Sequence, residues 1–135
     1  MAKTDQVLRA KGVRPSKIRV RVYDMIAKPG EHPSVDTIHA VLKKDIETLS
    51  KTTIYNTVQL FVEKGLASEL PVKGRHRYDA ADVPHAHRVC DRCGLLEDVD
   101  FAPSRPPSSL KASFVVRDVV VLYQGRCRDC DTLRA

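Results

Sequence analysis

The placement of four cysteines constrains this chain more than any other feature. They fall as two C-x-x-C pairs, Cys90/Cys93 and Cys127/Cys130. A tight turn lets both sulfurs of such a pair face one ion, and two pairs supply the four thiolates of a closed tetrahedral zinc site. Gly94 follows the first pair and Gly125 precedes the second, each beside an expected strand end. The 33 residues between the pairs exceed the usual zinc-ribbon spacing, and an intervening strand and loop account for the excess. A thiol redox switch and a small apolar role for some of the thiols are the competing readings. A structural zinc on Cys90, Cys93, Cys127 and Cys130 is the expectation. It should stabilise folding itself, because residues 80–135 are too few to bury much apolar area.

Charge divides the 135-residue chain at about the same place. Residues 1–79 carry 15 basic and 9 acidic side chains, whereas residues 80–135 carry 8 of each. All of the formal +6 therefore lies in the first part, which points to nucleic acid there and metal in the second. A solvated basic face without a partner is the alternative. No window approaches 18 consecutive apolar residues, so no membrane span is expected. Residues 1–12 show no apolar signal-peptide core, and the expected location is the cytoplasm.

The first part reads as helices. Ser16 is a plausible cap, followed by Ile18, Val22, Met25 and Ile26 at helical spacing, with Pro29-Gly30 as the stop. Ser34 can cap a second helix with Val35, Ile38, Val41 and Leu42 on one face. Ser50 can cap a third, with Ile54, Val58, Phe61 and Val62 inward and Gly65 just past its end. The outer face of that helix shows Lys51, Thr52, Tyr55, Asn56 and Gln59, groups suited to phosphates and base edges. An ordinary solvated face is the commoner reading of any single helix. Residues 66–72 and 75–79 then flank Lys73-Gly74 as a β-hairpin with a basic tip. Helices followed by a basic hairpin make a winged helix-turn-helix, whose third helix enters the major groove.

The second part, from Ala80, reads as strands over 88–90, 95–101 and 114–123. The last is β-branched and is expected to be buried. Three prolines and three serines make 102–109 a loop, with at most a short helix at 109–112. The fold class is thus α+β: a winged helix-turn-helix domain over 1–79 and a small α/β domain over 80–135 with the four-cysteine site.

His85-Ala86-His87 precedes the first cysteine pair, and alternate residues on a strand point the same way. Alone, such a pair is more often a surface accident than a metal site. Asp79, Asp98 and His32 strengthen it. Three imidazoles and two carboxylates without sulfur suit Fe(II), Mn(II) or Zn(II). A metal held by all five would clamp the two parts in one orientation, a switch that works through differential affinity for one conformer.

These residues resemble the ferric uptake regulator (Fur) family of bacterial metal-dependent repressors, from about Leu8 to Cys130. The landmarks are Gly12-Val13-Arg14 with Arg19, His32-Pro33-Ser34, Thr53-Ile54-Tyr55, Gly65-Leu66, Arg77-Tyr78-Asp79, the run from His85 to Gly94, and Tyr123 to Cys127. The resemblance implies a homodimer built by the C-terminal halves, binding to promoter DNA, and the two metal sites above. It implies Tyr55 near base edges, and Arg14 and Arg19 near the DNA backbone. Asp at both carboxylate positions and Asn56 after Tyr55 are similar to the peroxide-sensing PerR subfamily. Pro84, Ala86 and Val119 stand where iron-sensing members carry further ligands. In that subfamily Fe(II) reacts with hydrogen peroxide and a nearby imidazole is oxidised, which would put His32 or His85 at risk. Two departures stand out: Ile18 for a usual Gln, and a short, proline-rich segment over 102–113.

The competing functions are an iron- or zinc-responsive regulator without peroxide sensing, a zinc-ribbon interaction module and a zinc hydrolase or deaminase. The module leaves the basic winged helix and His32 unexplained. A deaminase needs H-x-E before P-C-x-x-C, and here His87 and Val89 take the places of the Glu and the Pro. No enzyme activity is expected.

Overall fold

Three serines start three of the helices. Ser16, Ser34 and Ser50 sit in extended backbone, and each Oγ accepts the amide N–H three residues on, from Arg19, Thr37 and Thr53, at 3.1–3.2 Å. Each such cap contributes about 1 kcal/mol by satisfying an amide that the helix itself cannot. The helices are α2 (Lys17–Ile26), α3 (Val35–Leu42) and α4 (Lys51–Glu63). An earlier helix, α1 (Ala2–Ala10), is one that the spacing argument overlooks, and it buries Leu8 completely. The structure is a computed structural model describing residues 2–72, 74–80, 85–101 and 106–132.

Helix α4 ends as its sequence requires. Gly65 adopts φ +75°, its N–H reaches the Val62 carbonyl at 3.1 Å, and Leu66 N–H reaches the Phe61 carbonyl at 2.8 Å. These two bonds form a Schellman turn, which needs the left-handed backbone that glycine adopts without strain. The chain then enters a hairpin of β1 (Ser68–Leu70) and β2 (Arg77–Asp79), antiparallel with Glu69 opposite Tyr78. Lys73 lies outside the described residues.

The chain divides into two compact units, residues 1–81 and 82–135. The first has one apolar core, in which Ile26, Ile38, Ile54, Val58 and Phe61 are fully buried. Tyr23 packs edge-on against Phe61 with ring centroids 5.9 Å apart. Val41, expected on the inner face of α3, is 43% exposed. The short helix offers Ile38 and Leu42 instead, four residues apart on one face.

The second unit is a three-stranded sheet with β3 (Ala86–Cys90) in the middle. Strand β4 (Leu96–Val99) pairs antiparallel to it, and β5 (Leu122–Gly125) pairs parallel. Two short helices complete it, α5 (Ser108–Lys111) and α6 (Arg128–Thr132). The expectation for 114–123 is corrected here. Only Leu122 and Tyr123 of that run are in a strand, and Phe114, Val115, Val119 and Val120 are exposed, Val115 by 92%. Strand propensity acts only where a partner strand and a covering layer exist. Pairing along β3 begins beside Val121, whose carbonyl accepts His87 N–H at 3.0 Å.

Candidate metal centres and nucleic-acid face

Parallel pairing of β3 with β5 brings the two cysteine pairs together. Both strands run toward the same end of the sheet, with Cys90 beside Gly125, and Asp91 N–H continues the ladder to the Gly125 carbonyl at 2.8 Å. Each pair therefore follows the C-terminal end of its strand. The first turns tightly: Gly94 N–H reaches the Cys90 carbonyl at 2.9 Å, Cys93 N–H points at Cys90 Sγ at 3.4 Å, and Gly94 takes φ +79°. The second leads into α6, where Asp131 N–H returns to the Cys127 carbonyl at 2.9 Å.

All four sulfurs lie within 4.8 Å of one another, and Cys93 Sγ is 3.8 Å from Cys127 Sγ. Four thiolates about 2.3 Å from a tetrahedral zinc are about 3.8 Å apart along each edge. The cluster fits zinc at that edge. Its thiols differ in how readily they ionise. Amide N–H groups aimed at Cys90, that of Cys93 first, draw its thiol down to about 6. The adjacent sulfurs, Cys127 first, push Cys130 up to about 12, so one thiolate resists the next. A divalent ion removes that opposition by holding all four deprotonated.

The candidate nitrogen and oxygen donors occur in each unit. In the second, His85 and His87 project to one side of the β3 strand line, with ring centroids 4.5 Å apart. Asp98 stands opposite His87 across the β3–β4 ladder. One oxygen of Asp98 lies 3.2 Å from His85 Nε2 and 3.4 Å from His87 Nε2. Two donors bound at about 2.1 Å to one ion are about 3.0 Å apart at right angles and about 3.4 Å at the tetrahedral angle. The three residues thus have ligand spacing and borderline-hard donor chemistry. His87 is 4% exposed, an uncommon burial for an ionisable ring.

In the first unit, His32 lies just before the α3 cap and Asp79 ends β2. A ring nitrogen of His32 and a carboxylate oxygen of Asp79 lie within 4.8 Å. Both residues are buried, His32 at 3% and Asp79 at 8% exposure. Backbone ties hold them there: Tyr78 N–H donates to the Pro33 carbonyl at 3.0 Å, and Arg77 Nε donates to the His32 carbonyl. The sequence distance of 47 residues closes because β2 runs alongside the segment that precedes α3.

The outer face of α4 presents Lys51, Thr52, Tyr55 and Asn56 to solvent, with Tyr55 half exposed. Lys51 Nζ is 3.1 Å from Asp36 of α3. Arg14 is exposed, and Arg19 is half-buried with Nη1 donating to the Arg14 carbonyl at 2.9 Å. Gln59 departs from the expected outer face. It is half-buried and turned toward the hairpin, 3.5 Å from Glu69 and 3.4 Å from the Tyr78 hydroxyl. The convergence of Glu69, His76 and Tyr78 is not visible in any motif, because only the strand register brings them together. The alternation Glu69-Leu70 opposite Arg77-Tyr78 carries the signal.

The family model for the ferric uptake regulator family matches residues 10–111. The chain is 29% identical to the peroxide-responsive repressor PerR of Staphylococcus saprophyticus, over 91% of this chain and 86% of that one. It is 27% identical to the peroxide operon regulator of Bacillus subtilis, over 93% and 89% of the two chains. In fold it is similar to the ferric uptake regulator Fur of Helicobacter pylori, with a TM-score of 0.69 at 19% identity, over 96% of this chain and 90% of that one.

Proposed function

This chain belongs to the ferric uptake regulator family, and on that premise we propose that it is a metal-dependent, DNA-binding transcriptional repressor that senses peroxide. The observation that carries the reading is the ligand chemistry: imidazoles and carboxylates at coordination spacing, with no sulfur, separate from a four-thiolate cluster. The relatives named for peroxide response span nine-tenths of the chain.

Cys90, Cys93, Cys127 and Cys130 hold a structural zinc. His32, Asp79, His85, His87 and Asp98 together hold a regulatory Fe(II) or Mn(II). Residues 1–79 form the DNA-binding domain, and residues 80–135 form the metal-binding dimerisation domain. Ligands drawn from both domains make metal affinity depend on how the domains are arranged, which is the coupling a repressor switch requires. The exposed run of Phe114, Val115, Val119 and Val120 is the surface that a second copy covers, giving a homodimer that reads two half-sites of promoter DNA. Lys51, Thr52, Tyr55 and Asn56 face the duplex, with Arg14 and Arg19 at its backbone.

Iron, when bound, supplies the reduction of hydrogen peroxide beside the ligands. The residues exposed to the resulting oxidant are His32 and His85, and an oxidised imidazole is a poorer ligand, so the bound arrangement is lost and DNA is released. Among the described residues no helix is long and apolar enough to cross a membrane. The regulator works in the cytoplasm, where its DNA is. Four thiolates close the zinc shell and leave that site no open position for a substrate, and the chain acts as a regulator rather than an enzyme.

The test compares the Fe(II)-loaded and Mn(II)-loaded forms on promoter DNA before and after peroxide. The iron form should release DNA and gain the mass of one oxygen on a peptide holding His32 or His85. The manganese form should keep its DNA. An iron form that keeps its DNA and shows no adduct overturns the peroxide reading.

A further inference from the structure

One polar cluster in the first unit takes no part in metal binding. Glu69 of β1 accepts hydrogen bonds from the Tyr78 hydroxyl at 3.2 Å and from a ring N–H of His76 at 2.5 Å, both on the same oxygen. Gln59 of α4 places its amide nitrogen 3.5 Å from each carboxylate oxygen and 3.4 Å from the Tyr78 hydroxyl. One carboxylate therefore gathers donors from the helix and from the opposite strand of the hairpin.

The carboxylate is turned inward, with its side chain only 26% exposed. Burial alone raises its carboxyl, but the bonds from His76, Gln59 and Tyr78 outweigh that and hold it below the ordinary range. The Tyr78 hydroxyl belongs to a buried side chain and donates to that carboxylate. A carboxylate in a unit of net positive charge repels a phosphate chain, so a purely electrostatic DNA surface has no use for it. Its inward bonds give it another use. The hairpin pairs only three residues on each strand, and two-stranded hairpins this short are marginal without support. Strand β2 is anchored to the body through Tyr78 and Ala80 N–H groups. Glu69 supplies a polar tie from β1 to α4.

We propose that Glu69 is a positioning residue for DNA binding, clasping the wing hairpin to helix α4 so that both elements meet one duplex at a fixed angle. The proposal rests on the DNA-binding reading above. Its chemistry predicts a hierarchy among variants. Glu69→Ala removes the acceptor and leaves the Tyr78 hydroxyl partly buried without it. Glu69→Gln keeps an acceptor oxygen for Tyr78. Gln59→Ala cuts the helix side of the clasp while leaving the hairpin pairing intact.

The test uses the zinc- and Mn(II)-loaded full chain and duplexes selected by that protein from a random DNA library. Glu69→Ala should weaken binding about tenfold (about 1.4 kcal/mol) and lose hydroxyl-radical protection at the wing side of the footprint, while the centre stays protected. Gln59→Ala should lose the same protection, and Glu69→Gln should recover most of it. Amide exchange without DNA forms a separate arm, in which Glu69→Ala should speed exchange at 68–70 and 77–79 and Glu69→Gln should not. Wild-type footprint and exchange rates in both alanine variants overturn the clasp. Failure of the wild-type chain to select any DNA overturns the DNA-binding reading instead, and the exchange arm still decides the clasp.

Discussion

The two units of this chain are stabilised by different physics. Among the described residues of the first, sixteen buried side chains from the helices, the hairpin and the segments that connect them make one apolar cluster. Among those of the second, the buried apolar residues are few, chiefly Ala86, Val89 and Leu96 with Cys90 and Cys130, while Phe114 and Val115 stand in solvent. Area removed from water is enough to order the first unit. The second has little of it, and its four-cysteine cluster is where a bound ion would add stability.

Removing zinc should break the comparison most sharply. Structural zinc in small domains contributes about 10–16 kcal/mol of apparent folding energy. Chelation, or Cys90→Ser, should therefore collapse the second unit and leave the first folded. Two-dimensional NMR reads this residue by residue, and a second unit that keeps its sheet without zinc would contradict it. The converse perturbation is Phe61→Ala. A large-to-small change at a fully buried aromatic costs about 3–5 kcal/mol, so the first unit should melt while four-thiolate zinc binding persists, as read by cobalt substitution spectra.

The exposed valines sharpen the contrast. Val115→Asp should leave the monomer as stable as before, because that side chain is 92% exposed. The dimer should weaken by at least about tenfold, near 1.4 kcal/mol, which sedimentation measures directly. An unchanged dimer would mean that the partner is seated elsewhere. The smallest effect concerns acid. The Glu69 carboxyl lies below its ordinary 4.5 in the folded chain. Its stabilisation is thus fully present above that value and is lost as pH falls through the lower folded one. Amide protection of the wing, corrected for the intrinsic pH dependence of exchange, should fall there in wild type and stay constant in Glu69→Gln.

Local rules were legible wherever a short range decides the outcome. Ser16, Ser34 and Ser50 announce three helix starts because capping involves only three following residues. Gly65 announces a helix end, and the C-x-x-C spacing announces two turns that each face one ion. His85 and His87 share a side because a strand alternates. Helix α1 was not legible, since its short, mostly polar sequence becomes a helix by burying Leu8 in a core built from distant residues. The β-branched run at 114–120 misled for the complementary reason, because it has the propensity of a strand and, among the described residues, no paired strand within the unit.

The sequence alone thus determined the ligand types, the caps, the charge division and the family resemblance. These are properties of residue identity and near spacing. Only the tertiary structure decided that β3 and β5 run parallel, which sets both cysteine pairs at one end of the sheet. It alone brought His32 beside Asp79, and turned Gln59 away from solvent toward Glu69. Those outcomes depend on strand register and on burial against distant residues, and neither is written in any one segment.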